Sequence, residues 1–288
     1  MIWGLDCGEK MMKNVLWVAL LGGCGIDYDV STHEKNLGAD DTSAPDEEDP
    51  PAEVDGPVAV CEVSPNPVQP PFEEAAWDGS ASHGDAEIVE YTWTLQSKPT
   101  GSTTTMPSGG ARRGGFVPDL AGEYVGRLKI FDANGETDSC TVTLESVPVQ
   151  NLWIEMYWTE ANDDMDLHLL RPGGVLETGG DCYFDNCVGG LEWGQNGRDD
   201  NPSLDLDDID FTGPENINIT EPFAGKYTVI VHDYVGSTWP DFTGQNRVTV
   251  NIYIDGAVEW TDTRTITGNG KYEYFAEIDW STGTVTGL

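Results

Sequence analysis

The chain has few basic residues, few histidines and no long apolar run. Only 14 Lys and Arg residues stand against 51 Asp and Glu residues, which gives a formal net charge of −37 at pH 7. A chain this acidic repels the phosphates of nucleic acids, and this argues against nucleic-acid binding. No apolar run reaches the roughly 20 residues that a membrane-spanning helix needs. The four histidines supply few of the nitrogen ligands that zinc sites prefer.

Sequence motifs of hydrolytic and phosphate-binding sites are also missing. The segment from Gly79 to Gly84 lacks the Gly-x-Ser-x-Gly spacing that would present a nucleophilic serine. His33-Glu34 resembles the start of a zinc-protease motif, but Leu37 stands where its second histidine belongs. Paired carboxylates could serve glycoside hydrolysis, yet the sequence singles out no pair among so many acids. The protein is therefore predicted to be non-catalytic.

Short runs of alternating apolar and polar residues recur through most of the chain, and the sequence shows no long amphipathic helical pattern. Val248, Val250, Ile252 and Ile254 show this alternation over one segment. Clusters of Gly, Asp, Asn and Ser separate such runs, as they do in all-β domains. The sequence therefore predicts an all-β protein with two β-sandwiches behind a disordered N-terminal tether.

Residues 1–23 are predicted to be a signal peptide. Acidic residues near position 1 suit a signal poorly, so the true start is expected at Met11 or Met12. A basic residue and a short apolar segment follow, and they lead to Leu21-Gly22-Gly23-Cys24. This last segment resembles the bacterial lipobox, which implies cleavage before Cys24 and a lipid on its thiol. A plain signal peptide or a buried N-terminal strand is the alternative.

Residues 24–55 are acidic and dotted with proline after the lipidated cysteine. They hold too few apolar side chains to offset chain entropy, which predicts a disordered linker that holds the folded part away from the membrane. Gly25, rather than an aspartate that signals inner-membrane retention, follows the cysteine. The lipobox resemblance therefore implies anchoring at the bacterial outer membrane or cell surface.

The remaining cysteines agree with export. Two of the six fall in the leader and at the lipidation site, and an even remainder in an exported chain predicts two disulfides. Local organisation favours Cys61–Cys140 and Cys182–Cys187 among the three possible pairings. Loop entropy would make the first worth about 4–5 kcal/mol and the second about 2 kcal/mol. A redox centre at the second pair is the alternative, although such centres usually have two spacer residues.

Residues 56–148 are predicted to form the first sandwich, with strands near 58–63, 87–95, 122–131 and 139–144. Four segments resemble PKD-type immunoglobulin-like domains: Asp78-Gly-Ser-Ala-Ser82, Ile88-Val-Glu-Tyr-Thr-Trp93, Ala121-Gly-Glu-Tyr-Val125 and Asp132-Ala-Asn-Gly135. The usual Trp-Asp-Phe-Gly-Asp-Gly turn is replaced by Trp93-Thr-Leu-Gln-Ser-Lys98. The resemblance implies a spacer or adhesive module. Trp93 is interpreted as a core residue, because large aromatics dominate sandwich cores.

Residues 149–288 are predicted to form a jelly-roll-like antiparallel sandwich, with strands at 152–158, 165–171, 215–219, 226–233, 247–255, 257–265 and 271–280. Five segments resemble an Asp-rich domain of secreted and lipid-anchored bacterial proteins, notably myxobacterial ones: Asp164-Met-Asp-Leu-His168, Arg171-Pro-Gly-Gly174, Asp181-Cys-Tyr-Phe-x-Asn-Cys187, Asp200-Asn-Pro-x-Leu-Asp-x-Asp-Asp208 and Gly213-Pro-Glu-Asn-Ile217. That family is largely uncharacterised. The resemblance therefore implies location and fold rather than activity.

Acidic residues concentrate at 199–216, which carries seven carboxylates, and at 162–168. Held together without a counter-ion, so many acids would repel one another. Oxygen-rich sites favour Ca²⁺, although the spacing fails the EF-hand pattern. The sequence predicts that the two runs meet and share calcium, with these ligands: Asp164, Asp166, Asp205, Asp207, Asp208, Asp210 and Glu215. A solvated acidic loop is the alternative.

His168 and His232 fall in predicted strands. Each is interpreted either as the interior partner of an aspartate or, together, as part of a transition-metal site. Three functions remain open. The first is a lipid-anchored surface binding or adhesion protein with a calcium-stabilised β-domain and an unknown protein or polysaccharide partner. The second is a carbohydrate-binding module that stacks sugars on some of Trp158, Trp193, Trp239 and Trp260. The third is a metal-dependent hydrolase.

Overall fold

A computed structural model describes residues 55–194, 197–209, 211–235 and 242–288. All of these belong to one compact unit, Glu53–Leu288. The predicted leader, Cys24 and most of the linker lie outside the described residues, and so do Asp210 and Trp239. Within the described ranges, no helix has the length and apolar character that crossing a membrane requires.

The described part is nearly all-β, as predicted, and contains two sandwiches. Six strands build the first: β1 Glu62–Ser64, β2 Ala75–Asp78, β3 Ile88–Ser97, β4 Arg112–Phe116, β5 Gly122–Asp132 and β6 Thr137–Ser146. Ten strands and one short helix build the second: β7 Leu152–Trp158, β8 Asp164–Leu170, β9 Asp181–Cys182, α1 Phe184–Cys187, β10 Ser203–Leu206, β11 Glu215–Ile219, β12 Lys226–Tyr234, β13 Gln245–Ile254, β14 Ala257–Thr267, β15 Lys271–Asp279 and β16 Thr284–Gly287.

The first sandwich consists of two antiparallel three-stranded sheets, in the orders β1-β2-β4 and β3-β5-β6. Trp77, Trp93, Phe116 and Leu128 fill the space between them, so Trp93 is the core residue that the sequence indicated. Burying aromatic rings of this size supplies much of the hydrophobic stabilisation of a small sandwich. The disulfide Cys61–Cys140 is present and joins the start of β1 to β6.

Tyr124, at the start of β5, gives the first sandwich an immunoglobulin-like feature. Its hydroxyl lies 3.0 Å from the Leu120 carbonyl oxygen and accepts the Leu120 N–H at 3.1 Å. A tyrosine bonded to backbone a few residues upstream is the tyrosine corner of immunoglobulin-like sandwiches. The predicted immunoglobulin-like fold of this region is therefore confirmed.

The second sandwich consists of two antiparallel five-stranded sheets, in the orders β10-β11-β7-β13-β14 and β16-β15-β12-β8-β9. One apolar core joins their inner faces and includes Ile154, Leu167, Val229, Val250 and Phe275. The predicted disulfide Cys182–Cys187 is present and closes the turn around α1. The antiparallel sandwich predicted for residues 149–288 is confirmed.

Strand β8 has two buried faces. Met165, Leu167 and Leu169 point into the sandwich core. Because successive strand residues point to opposite faces, Asp166 and His168 lie on the outer face of the same sheet. They are nevertheless buried there. The outer face of β8 therefore holds polar groups that are shielded from solvent.

The two sandwiches contact each other through a small apolar cluster of Ala121, Trp153 and Tyr253. Glu155 lies beside this cluster and is fully buried, and its Oε1 accepts the Ala121 N–H at 2.6 Å. Burial raises the pKa of Glu155 to about 7, although the hydrogen bond from Ala121 acts in the opposite direction. The seam between the sandwiches therefore contains an acid that titrates near neutral pH.

Candidate metal centre

Three carboxylates from separate elements meet at one edge of the second sandwich. Asp166 of β8, Asp207 just after β10 and Glu215 at the start of β11 each offer an oxygen, and these oxygens lie within 4.8 Å of one another. The two acidic runs of the sequence thus come together in space. Strands β8 and β11 belong to different sheets of the sandwich but contact each other, and this contact brings the two runs together.

Glu215 bridges the two sheets at an open strand edge. Strand β9 pairs with Leu169 and Leu170 of β8, and among the described residues no strand pairs with the preceding part of that edge. The Leu167 N–H at this edge donates to Glu215 Oε2 at 2.8 Å. This bond holds the carboxylate in place through Oε2, and Oε1 does not take part in it.

The centre contains buried oxygen atoms that lack donors. Glu215 Oε1 and Asp166 Oδ2 have no hydrogen-bond partner among the described residues, and both side chains are almost completely buried. Burial raises the pKa of Asp166, against the opposing effect of the nearby His232 and His168. Burial and the charge of Asp166 raise the pKa of Glu215 well above its usual value. Ionised together, these acids destabilise one another unless a cation lies between them.

Asp207 connects the centre to two cavities. The smaller cavity has a volume of about 230 Å³ and is lined by Asp164, Asp166, Phe184, Asp207, Ile209 and Tyr234. The larger, of about 520 Å³, is a cleft to which Asp207 and Phe211 contribute from the second sandwich and Thr103 from the first. Burial and the charge of Asp166 raise the pKa of Asp207. Asp207 therefore belongs both to the centre and to the wall of the cleft.

The structure places Asp205 away from the three carboxylates. Its Oδ1 accepts the Ser203 hydroxyl at 2.7 Å, and its Oδ2 accepts the side-chain amides of Asn216, at 3.2 Å, and of Asn218. Asp205 thus acts as a hydrogen-bond acceptor between β10 and β11. Its role as a calcium ligand stays a prediction.

The Asp208 carboxylate likewise accepts hydrogen bonds, here from backbone N–H groups of a turn. Its Oδ2 accepts the Gly213 N–H at 2.8 Å, and its Oδ1 accepts the Phe211 N–H at 3.3 Å. These bonds hold the segment that forms the wall of the cleft. Asp164 lines the small cavity next to Asp166, and its charge contributes to the raised pKa of Glu215.

Both histidines lie beside Asp166. His168 Nδ1 is 2.8 Å from Asp181 Oδ2, and His232 Nδ1 is 3.6 Å from Asp166 Oδ2. Asp166, His168 and His232 also offer three ligand atoms within 4.8 Å of one another. Sequence reasoning did not identify Asp181 as the partner of His168, because a residue of a two-residue strand 13 positions further along gives no periodic signal.

The tryptophans do not form the predicted sugar platform within the described residues. Trp158 and Trp193 are buried, and Trp260 is half-buried and packs against the core of the second sandwich. Trp158 Nε1–H also donates to the Phe211 carbonyl at 3.0 Å, which ties the cleft wall to β7. Trp239 lies outside the described part of the chain.

Comparisons with known proteins give structural neighbours only. No protein-family model matches the chain, and no curated protein matches it. The PKD1 domain of Vibrio anguillarum Epp is 24% identical, with a TM-score of 0.25, and covers 33% of this chain and 96% of that one. A carbohydrate-binding module of the β-sandwich superfamily is 14% identical, with a TM-score of 0.26, and covers 77% of this chain and 99% of that one. Because both TM-scores are low, the fold is assigned from the sheets described above and not from these two structures.

Proposed function

We propose that the chain is a non-catalytic, lipid-anchored binding protein of the bacterial surface whose second sandwich is stabilised by Ca²⁺. Asp166, Asp207 and Glu215 would bind the ion, with Asp164 nearby. The observation that carries the proposal is the buried pair of oxygens, Asp166 Oδ2 and Glu215 Oε1, that lack donors among the described residues. A cation would supply the positive charge that these two atoms lack.

The ligand chemistry favours calcium at this position. Three carboxylates from β8, the segment after β10, and β11 converge, and Asp207 remains exposed enough for water to complete the shell. Oxygen ligands with flexible geometry suit Ca²⁺, whereas Mg²⁺ demands a stricter octahedron and keeps its waters. Extracellular sites of this kind bind Ca²⁺ at about 10⁻⁴–10⁻³ M, which matches an exported protein.

Calcium at the centre would also preorganise the 520 Å³ cleft. The ion would fix Asp207, and the Asp208 turn and the Trp158–Phe211 bond would carry that order along the cleft wall. Phe211 is exposed there and supplies apolar contact area. The partner would be a protein or a polysaccharide, bound more tightly when calcium orders the wall.

Two disulfides support an extracytoplasmic location for the folded part, because such bonds persist in oxidising compartments. The lipobox-like Leu21-Gly22-Gly23-Cys24 supports the lipid anchor. Sugar stacking has less support than protein contact, because Trp158 and Trp193 are buried. A hydrolase has less support still, because the sequence lacks the Gly-x-Ser-x-Gly spacing that would present a nucleophilic serine.

A thermal melt of the full chain tests the proposal. At a hundredfold excess over the dissociation constant, Ca²⁺ adds about 2.7 kcal/mol, and a chain of this size gains about 2–4 °C for each kcal/mol. We therefore expect a rise of about 5–10 °C with Ca²⁺ over EDTA, and a much smaller rise with Mg²⁺.

Two neighbouring substitutions separate the calcium effect from general destabilisation. Asp207→Asn should abolish the calcium-induced rise. Asp205→Asn, two positions away, should lower the melting temperature by weakening bonds between β10 and β11 but retain the rise. The calcium site would be refuted if Ca²⁺ did not raise the melting temperature of the wild-type protein. It would also be refuted if Asp207→Asn kept the full calcium-induced rise.

A further inference from the structure

A second cluster beside the carboxylates contains nitrogen ligands. His168 Nε2, His232 Nδ1 and Asp166 Oδ2 have no hydrogen-bond partner in the described part of the chain. All three residues are more than nine-tenths buried, at 1%, 8% and 2% exposure. Each of the three residues offers one ligand atom, and these atoms lie within 4.8 Å of one another. His232 Nδ1 also lies 3.6 Å from Asp166 Oδ2. Buried nitrogen and oxygen ligands that converge in this way are an arrangement that a bound metal ion would satisfy.

Asp181 orients His168 for metal binding. The 2.8 Å contact between His168 Nδ1 and Asp181 Oδ2 places the ring proton on Nδ1, so the lone pair of Nε2 is open. Asp181 Oδ2 also accepts the Glu177 N–H at 2.9 Å, which holds the carboxylate in position. A carboxylate behind the non-ligating nitrogen is the usual outer partner of a metal-bound histidine.

Aromatic rings hold both imidazoles in place. Tyr183 stacks on His168 with ring centroids 5.0 Å apart, and Tyr272 stacks on His232 at 4.0 Å. The Tyr272 hydroxyl donates to Glu177, the residue whose amide holds Asp181. The supports of the two histidines are therefore connected, and the Cys182–Cys187 disulfide closes the turn that carries Tyr183.

We propose that Asp166, His168 and His232 bind one Zn²⁺ ion, with Asp181 as a positioning residue. Two imidazoles and one carboxylate suit zinc and disfavour calcium, which takes oxygen ligands. Three protein ligands leave a fourth position for an exchangeable oxygen ligand. The 230 Å³ cavity that Asp166 lines provides the way in. Asp166 belongs to both clusters, and its carboxylate would bridge this ion and the proposed Ca²⁺.

Metal binding by the full chain tests the site directly. After EDTA treatment and its removal, the protein is dialysed against micromolar Zn²⁺ in the presence of millimolar Ca²⁺, which occupies surface carboxylates. We expect one tightly bound Zn²⁺ per chain, and His168→Gln or His232→Gln should weaken its binding by about 100-fold or more. His83→Gln, which changes an exposed histidine of the first sandwich, is the matched control and should bind as wild type does.

The two metal proposals fail independently. Glu215→Gln should abolish the calcium-induced rise in melting temperature and retain Zn²⁺, while His232→Gln should do the reverse. Asp166→Asn should lose both responses. Wild-type protein that binds no stoichiometric Zn²⁺ would overturn the zinc site and leave the calcium site standing. Equal Zn²⁺ affinity in wild type and in both histidine variants would overturn it as well.

Cobalt spectroscopy on unmodified protein covers the case in which a histidine variant fails to fold. Co²⁺ at a four-coordinate site with nitrogen ligands should absorb visible light strongly, whereas a weak octahedral spectrum would contradict the site. Asp181→Asn preserves side-chain shape and should weaken Zn²⁺ binding by about 10–100-fold. It should also shift the cobalt bands while leaving the calcium response unchanged. A merely structural role for Asp181 would leave the bands where they are.

Discussion

Asp119 of the first sandwich receives several hydrogen bonds, whereas Asp166 and Glu215 of the second lie in a centre that supplies few. Donors to Asp119 include the hydroxyls of Ser102 and Tyr124 and the N–H of Thr103. Burial alone would raise the pKa of Asp119, but these bonds outweigh it and the pKa is lowered. At Glu215 burial dominates and the pKa is raised.

The contrast teaches how to interpret a buried acid in this chain. Where an acid serves the fold alone, loops deliver donors to it, as residues 102–104 do for Asp119. Glu155 is an intermediate case, because hydrogen bonds such as the one from the Ala121 N–H only partly offset its burial and its pKa is about 7. Where donors are missing and several acids converge, a bound cation is the simplest compensation. Four substitutions test this distinction.

The largest effect is expected for Asp119→Ala. It leaves the buried hydroxyls of Ser102 and Tyr124 without their charged acceptor, which should cost about 4 kcal/mol. The loss should be the same in EDTA and in Ca²⁺, because Asp119 belongs to a hydrogen-bonded network. Denaturant unfolding followed by the fluorescence of buried Trp77 and Trp93 measures it. A loss that depends on calcium would break the comparison.

Glu155→Gln should produce a pH-dependent gain. The group titrates at its ordinary 4.5 in the unfolded chain and near 7 in the folded one, so the folded protein holds more protons between these values. Stability therefore falls as pH rises from 4.5 to about 7 and is level above, a total loss of about 3 kcal/mol. Melting temperatures measured between pH 4 and pH 8 should be higher for the variant than for wild type at pH 8, and equal near pH 4. A constant difference would contradict the assignment.

The effect of Glu215→Gln on the free energy of unfolding should change sign between EDTA and Ca²⁺. In EDTA it removes a buried charge that repels Asp166, so the variant should match or exceed wild type in stability. In excess Ca²⁺ it removes a ligand and should forfeit about 2.7 kcal/mol. Paired melts in the two buffers give both values. A variant that is equally unstable in each buffer would make Glu215 a structural hydrogen-bond acceptor for Leu167 only.

Asp208→Ala should have the smallest effect. It removes acceptors for the Gly213 and Phe211 amides at an exposed turn, at a cost of about 1 kcal/mol in either buffer. Calcium titration by calorimetry should give an unchanged affinity, because the carboxylate is engaged in the turn. Lost calcium binding would return Asp208 to the ligand set that the sequence suggested.

The strand pattern of the second sandwich was largely predictable from local sequence. The predicted bounds of β7 and β11 agree with Leu152–Trp158 and Glu215–Ile219, because apolar runs there are bounded by turn residues. Strands β2, β4, β9, β10 and β16 were missed, since they are only two to five residues long and show little alternation. Such strands form because neighbours pair with them, which is a property of the whole fold.

The ligand set was only partly predictable, and Asp205 shows why. Alternation in a regular strand would direct Asp205 and Asp207 to the same face. The pairing of β10 with β11 shifts register between Leu204 and Leu206, and the strand ends at Leu206. The two carboxylates therefore face different neighbours. The spacing of Asp205 and Asp207 in the sequence does not reveal such a register shift. The contact between His168 and Asp181 likewise depends on how the chain between them folds back onto the sheet.

Strand β8 limits how this domain can be altered. Its odd-numbered apolar residues, such as Leu167, fill the core, and its even-numbered Asp166 and His168 belong to the buried polar cluster on the outer face. Inserting or deleting one residue would exchange the two sets and place polar side chains in the core in a single step. We therefore expect this strand to tolerate conservative substitutions but no change of length.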